Sequence, residues 1–227
     1  MALNIEYVKE CHPARWIFLL IFIAIIGTLG WFGYKWYTTG YLPIQISAIS
    51  ANTHVDESAV TTNKVKTYTV SSSHPRYITI PSIGLGNTRV YPVGLGTNGL
   101  LQAPDNINDA GWYTKSSTPG SGGVVLIDGH NLGISKNGAF AKLGSLKSGD
   151  TVIVERGDGQ TFSYTVYDTR SMSLDEVNAT GMTMMGKTAV TDKEALNLMT
   201  FDGKWVPQLG TFGRRIMVRT VIDDSSN

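Results

Sequence analysis

The chain has 227 residues, a formal net charge of +1 and only 16% charged residues. That length fits one ordinary domain beside a membrane segment. The charge balance, with no run of basic residues, excludes a nucleic-acid-binding face. The single cysteine, Cys11, excludes an intrachain disulfide, and the scattered histidines and lone cysteine offer no metal-ligand cluster. No metal or cofactor is expected.

Trp16 to Tyr34 carries no charge and is rich in Ile, Leu and Phe. As a helix it would reach about 28 Å, close to the hydrocarbon thickness of a bilayer. Trp16, Trp31, Trp36 and Tyr37 sit near its ends, where interfacial aromatics belong. A cleaved signal peptide is the competing reading, but the run is long for one and no A-x-A pattern follows. Residues 16–36 are therefore expected to be an uncleaved anchor. Lys9, Arg15 and the amino terminus flank one side and Lys35 the other, which favours residues 1–15 in the cytoplasm and the remainder outside. Cys11 would be a juxtamembrane thiol with no role in the external domain.

Residues 37–74, rich in Ser, Thr, Asn and Val, lack a period and are read as a stalk. Beyond them, Tyr77 to Ile80, Arg89 to Val93, Thr151 to Val154 and Thr161 to Val166 alternate as half-buried strands do. Gly157-Asp158-Gly159 marks a hairpin between the last two. Gly122 to Ile127 is a short apolar strand running into Asp128-Gly129-His130-Asn131. Asp128, before a glycine, reads as a turn residue. Pro119-Gly120-Ser121-Gly122-Gly123 also reads as a turn, lacking what a phosphate loop or nucleophile elbow requires. Ala139 to Leu146 is the one short helical candidate, and Thr169 to Glu194 reads as a long irregular loop.

Ala195 to Val221 reads as two strands joined by a loop from Asp202 to Gly213. Arg214 shares the parity of Ile216 and Val218, whereas Arg215 points to the other face. A guanidinium at that strand mouth would suit an oxyanion or a carboxylate. His130 is the only histidine inside the domain, and its place just past a buried strand suits a general acid/base. Many short strands punctuated by Gly and Pro argue an all-β barrel or sandwich with short helices.

These residues resemble a known family. Ile127-Asp128-Gly129-His130, Leu198-Met199-Thr200-Phe201 and Arg214-Arg215-Ile216-Met217-Val218 look like the motifs of a sortase, a membrane-anchored cysteine transpeptidase of monoderm bacteria. Ile80-Pro81-Ser82-Ile83-Gly84-Leu85, Ala110-Gly111-Trp112-Tyr113 and Leu146-Lys147-Ser148-Gly149-Asp150 extend the likeness, nearest to class E/F members. The resemblance covers roughly Pro75 to Val221 and implies an eight-stranded sortase-type β-barrel over residues 75–222, with 223–227 as a tail. It also implies His130 and Arg214 as catalytic groups, an LPXTG-type sorting-signal peptide as ligand, and a cell-wall precursor or pilin amine as acceptor. Thr200, Met182, Met184 and Met185 would border the peptide groove, although the methionines would equally serve as a plug at the barrel rim.

The family's motif ends in Thr-Cys, whereas Thr200 is followed here by Phe201. A phenyl ring cannot become an acyl-enzyme. Thr200 has no evident base beside it, and an acyl-Asp202 anhydride would be labile. The resemblance thus implies a catalytically impaired, single-pass envelope protein. The alternatives are an active transpeptidase whose cysteine was substituted in this copy, or a non-enzymatic envelope scaffold. The calcium-binding acids found before the histidine in some sortases are replaced here by Lys115, Thr118 and Gly122.

Overall fold

The structure, a computed structural model, describes residues 13–39, 55–96, 101–206 and 208–224. Lys9 and Cys11, much of the expected stalk and part of the tail lie outside the described residues. Helix α1, Pro13–Thr39, contains an apolar span, Trp16–Thr38, with mean hydropathy 2.2. It is long and apolar enough to cross a membrane.

Eight strands close into a barrel: β1 (Pro75–Ile80), β2 (Leu85–Val93), β3 (Ala110–Tyr113), β4 (Val124–Gly129), β5 (Thr151–Arg156), β6 (Thr161–Ser173), β7 (Ala195–Val206) and β8 (Thr211–Ile222). Their order around the wall is β1-β2-β3-β4-β7-β8-β6-β5. β2 with β3 and β4 with β7 run parallel, and the other neighbours are antiparallel. Alternate residues fill the interior, including Val125 and Ile127 of β4, Leu196 and Leu198 of β7, and Ile216 and Val218 of β8. Each fully buried side chain of this kind contributes about 1.5–3 kcal/mol.

The opposite faces of β4, β7 and β8 are buried too. Leu126, Met199 and Met217 form a second apolar cluster with Met172, Val177 and Met185. What covers them is the segment expected to be irregular. β6 persists to Ser173, and α3 (Leu174–Glu176), a π turn (Val177–Gly181) and α4 (Met182–Met185) follow. Ser173 and Glu176 form a reciprocal capping box that starts the helical run.

Other expectations are corrected similarly. Ala139 to Leu146 yields only a 3-10 turn, Leu143–Ser145. The expected Asp202–Gly213 loop is mostly strand: β7 continues to Val206 and β8 begins at Thr211, with a bulge between Asp202 and Trp205. Gly203 takes φ of 79° at that bulge, a conformation other residues rarely adopt.

The described part of the presumed stalk lies on the barrel. Asp56 pairs with Asn106 in a parallel bridge, and Asn106 Nδ2 donates to its carboxylate at 2.9 Å. Glu57 accepts from the backbone N–H groups of Ile134 and Ser135 and from the Ser135 hydroxyl. Helix α2, Thr62–Lys66, then leads to Tyr68, whose hydroxyl donates to the Val90 carbonyl at 2.6 Å. Polar docking of this kind leaves no hydrophobic period to read.

Candidate active site

β4 ends at Gly129 alongside the middle of β7, which pairs there with the first half of β8, and each strand brings one candidate side chain to that level. His130 follows Gly129 directly. Its Nε2 lies 2.7 Å from the Pro104 carbonyl, which can only accept, so Nε2 carries the proton. The neutral ring therefore keeps its lone pair on Nδ1. Burial pulls the His130 pKa below its usual value, against the opposing effect of the Pro104 hydrogen bond. Gly138 permits this packing, since a Cβ there would lie 2.1 Å from the His130 carbonyl oxygen.

Two side chains stitch the histidine loop to β7. Thr200 Oγ1 donates to the Gly129 carbonyl at 2.7 Å, and Asn131 Nδ2 donates to the Phe201 carbonyl at 2.8 Å. Thr200 is buried inside, its hydroxyl proton committed, so it does not border a groove as expected. Asn131 is a structural link that the sequence reading missed, because nothing in the pattern pairs residue 131 with residue 201.

Antiparallel register sets Phe201 opposite Arg215 and Asp202 opposite Arg214. Cross-strand partners share a face. Arg215, not Arg214, therefore accompanies Phe201. Its guanidinium carbon lies 4.2 Å from the centre of the Phe201 ring. Nη1 donates to the carbonyls of Phe212 and Arg214, at 2.7 and 2.8 Å, and Nη2 to Thr211 Oγ1 at 2.7 Å. Burial pushes Arg215 down to about 10, which leaves it charged at neutral pH.

Arg214 turns away to β6, donating to Ser171 Oγ at 2.8 Å and to the Ser171 carbonyl at 2.7 Å. Arg214, expected at the site, is set by this register on the opposite face from Phe201. The parity that Arg214 shares with Ile216 and Val218 belongs to the barrel interior, and the candidate site lies on the other face.

The methionines divide. Met185 is fully buried in the outer cluster and Met184 packs partly against it, while Met182 is 45% exposed. Met185 is thus a plug under the helical segment. Asn197, also buried, donates from Nδ2 to the Met185 carbonyl at 2.8 Å and fixes that plug to β7.

Asp128 is no turn residue. It lies within β4, opposite Gly111 and beside Met199, and is almost wholly buried. Its Oδ1 has no hydrogen-bond partner, and burial pushes its pKa well above the usual carboxylate range. The Pro119–Gly123 turn is occupied by this chain's own Glu194, which accepts from the N–H groups of Gly120 and Gly122 and from the Tyr164 hydroxyl. Among the described residues, no three His, Cys, Asp or Glu side chains are grouped to hold a metal ion.

The sequence profile of the sortase domain matches residues 78–221. The chain belongs to the sortase family. The sortase match takes in His130, Phe201, Arg214 and Arg215 and leaves out α1, α2 and the docked residues 55–58. Among solved structures, the chain is similar to sortase C-1 from Actinomyces oris, with 24% identity over 68% of this chain and 75% of that one and a TM-score of 0.47. It is also similar to a lid mutant of sortase A from Corynebacterium diphtheriae, with 22% identity, coverage of 65% and 68%, and a TM-score of 0.48. A third likeness is to the pilus-related sortase C of Group B Streptococcus, at 19% identity, coverage of 77% and 76%, and a TM-score of 0.49. No curated protein sequence matches the chain.

Proposed function

We propose that this protein is a membrane-anchored, extracytoplasmic member of the sortase family, nearest in its motifs to class E/F. It recognises sorting-signal-type peptides but has lost thiol-dependent transpeptidation. One observation carries this reading: the side chain on β7 that meets Arg215 and follows the bonded Thr200 is the phenyl ring of Phe201. In the family the Thr-Cys motif places a thiolate there. It attacks the carbonyl of a Thr–Gly bond, and an amine or water resolves the thioester. Carbon–hydrogen bonds of a phenyl ring offer no lone pair for that attack. Loss of the nucleophile of a covalent enzyme lowers turnover by about a millionfold.

The remaining machinery suits binding. His130 keeps an unprotonated Nδ1 just past β4, and Arg215 presents a charged, planar group over the ring. The ligands are the extended tails of exported proteins destined for the wall or a pilus. Helix α1 holds the domain on the external side of the cell membrane. Isothermal titration of the detergent-solubilised chain with an LPXTG-type peptide and its scrambled counterpart tests the reading. Saturable heat with the first alone is expected. Equal or absent heat with both peptides removes it.

A further inference from the structure

Helix α1 is exposed nearly all round, except along one stripe. Phe32, Lys35 and Thr38 are half-buried, while Trp31, Gly33, Tyr34, Trp36 and Tyr37 are exposed. A spacing of three places the half-buried residues on one side of the helix. The barrel meets that end of the helix: β7 packs beside α1, and Lys35 Nζ donates to the Ile134 carbonyl at 3.4 Å. The apolar run of α1 ends at the same level, so the domain touches the anchor where hydrocarbon gives way to headgroups.

The loops at this end of the barrel have the composition of an interfacial surface. Leu209, at the β7–β8 turn, is 63% exposed, and Leu132, two residues past His130, is 37% exposed. Trp205, Val206 and Phe212 are half-buried around the same tip, with Trp205 and Phe212 edge to face at 5.3 Å. No acidic residue occurs from Gly203 to Arg214, and Lys204 is exposed there. Exposed apolar side chains rimmed by cations suit a surface of anionic lipid.

We propose that the β7–β8 tip and the loop after His130 rest on the outer leaflet of the bilayer, so that the candidate site opens at the headgroup level. The proposal rests on the reading of α1 as a membrane anchor. Leu209 and Leu132 enter the interface, Lys204 meets lipid phosphate, and the β5–β6 turn at Asp158 points to bulk water from the far end of the barrel.

The test uses the full chain with Cys11→Ser, reconstituted in vesicles of phosphatidylcholine and phosphatidylglycerol. A polarity-sensitive fluorophore is attached in turn through Gln208→Cys, Asp158→Cys and Ile25→Cys. Nitroxide lipids, labelled at the headgroup or deep in the acyl chain, serve as quenchers. Headgroup nitroxides should quench the label at position 208 several-fold more than the one at 158, and deep nitroxides should quench the one at 25. Adding Leu209→Glu and Lys204→Glu should bring position 208 down to the level of 158. Quenching at 25 with positions 208 and 158 alike overturns the proposal while leaving the anchor intact. Absence of quenching at 25 rejects the anchor reading itself, and the proposal with it. A label at 208 that is shielded from water yet unquenched by lipid, and is unshielded on dilution in the membrane, identifies a second copy as the occupant and overturns it equally.

Discussion

Arg215 stacks its guanidinium 4.2 Å from the centre of the Phe201 ring while directing its donors into its own hairpin. All three acceptors lie on β8, so these bonds fix the guanidinium against the β7 ring, the position from which the proposed function has it steady charge on a substrate. A partly desolvated cation–π contact is worth about 0.5–2 kcal/mol. A double-mutant cycle of Phe201→Leu and Arg215→Met, read by urea unfolding, should return a coupling of about that size. Strictly additive losses would mean that the stacking carries no energy of its own.

If the proposed function holds, Phe201→Cys returns a nucleophile beside Arg215, directly after Thr200 on β7. The expected outcome is a thioester adduct with an LPXTG-type peptide, detectable by mass, that is absent when His130→Ala is added. The same background separates the two arginines. Arg215→Ala should lower kcat/KM by about 100-fold or more, the scale of a lost oxyanion donor. Arg214→Ala should change it only within a few-fold, since that side chain is bonded to Ser171 on β6. The reverse order of effects would restore Arg214 to the site.

The barrel was legible in the sequence because period-two alternation reports a wall with an inside and an outside. Strands β1, β2, β5 and β6 show it, and the apolar run of β4 reports burial on both faces. Motifs alone single out His130, just past β4, and Phe201, on β7, as site candidates. The choice between Arg214 and Arg215 was not legible. Met217 and Val218 on β8 are both fully buried, so hydrophobicity does not say which parity faces the interior. The cap from Leu174 to Met185 was missed because its helices are three and four residues long around a π turn, too short for a 3.6-residue period.

Arg89 and Asp109 form a buried bidentate pair, at 2.9 and 2.7 Å. Burial nevertheless pushes Asp109 upward, outweighing the opposing effect of Arg89. The pair is therefore no net reservoir of stability, yet halving it strands a charge. Asp109→Ala should cost about 3–5 kcal/mol, and the double change Arg89→Met with Asp109→Leu considerably less. Chemical denaturation of the three proteins checks the order. A double variant as unstable as the single one would refute the desolvation argument.

Asp128 should make stability depend on pH in the direction opposite to a salt-bridged carboxylate. Burial raises its folded pKa well above the unfolded value of about 3.9. Below that value the carboxyl is protonated in both states and contributes no slope. As pH rises past it, the unfolded chain gives up the proton while the native chain keeps it, and stability falls until the native group ionises. Asp168, lowered by its bonds to Arg219 and Arg170 despite burial, pulls the other way, so total stability is not the useful readout. The useful quantity is the difference between wild type and Asp128→Asn, measured by urea unfolding at several pH values from 3.5 to about 7.5, the interval that brackets the unfolded carboxyl pKa. Relative to wild type, Asp128→Asn should gain stability steadily as pH increases, because the amide has no proton to lose. Two parallel curves would show that the carboxyl ionises alike in both states and that its burial beside Met199 and Gly111 leaves its titration untouched.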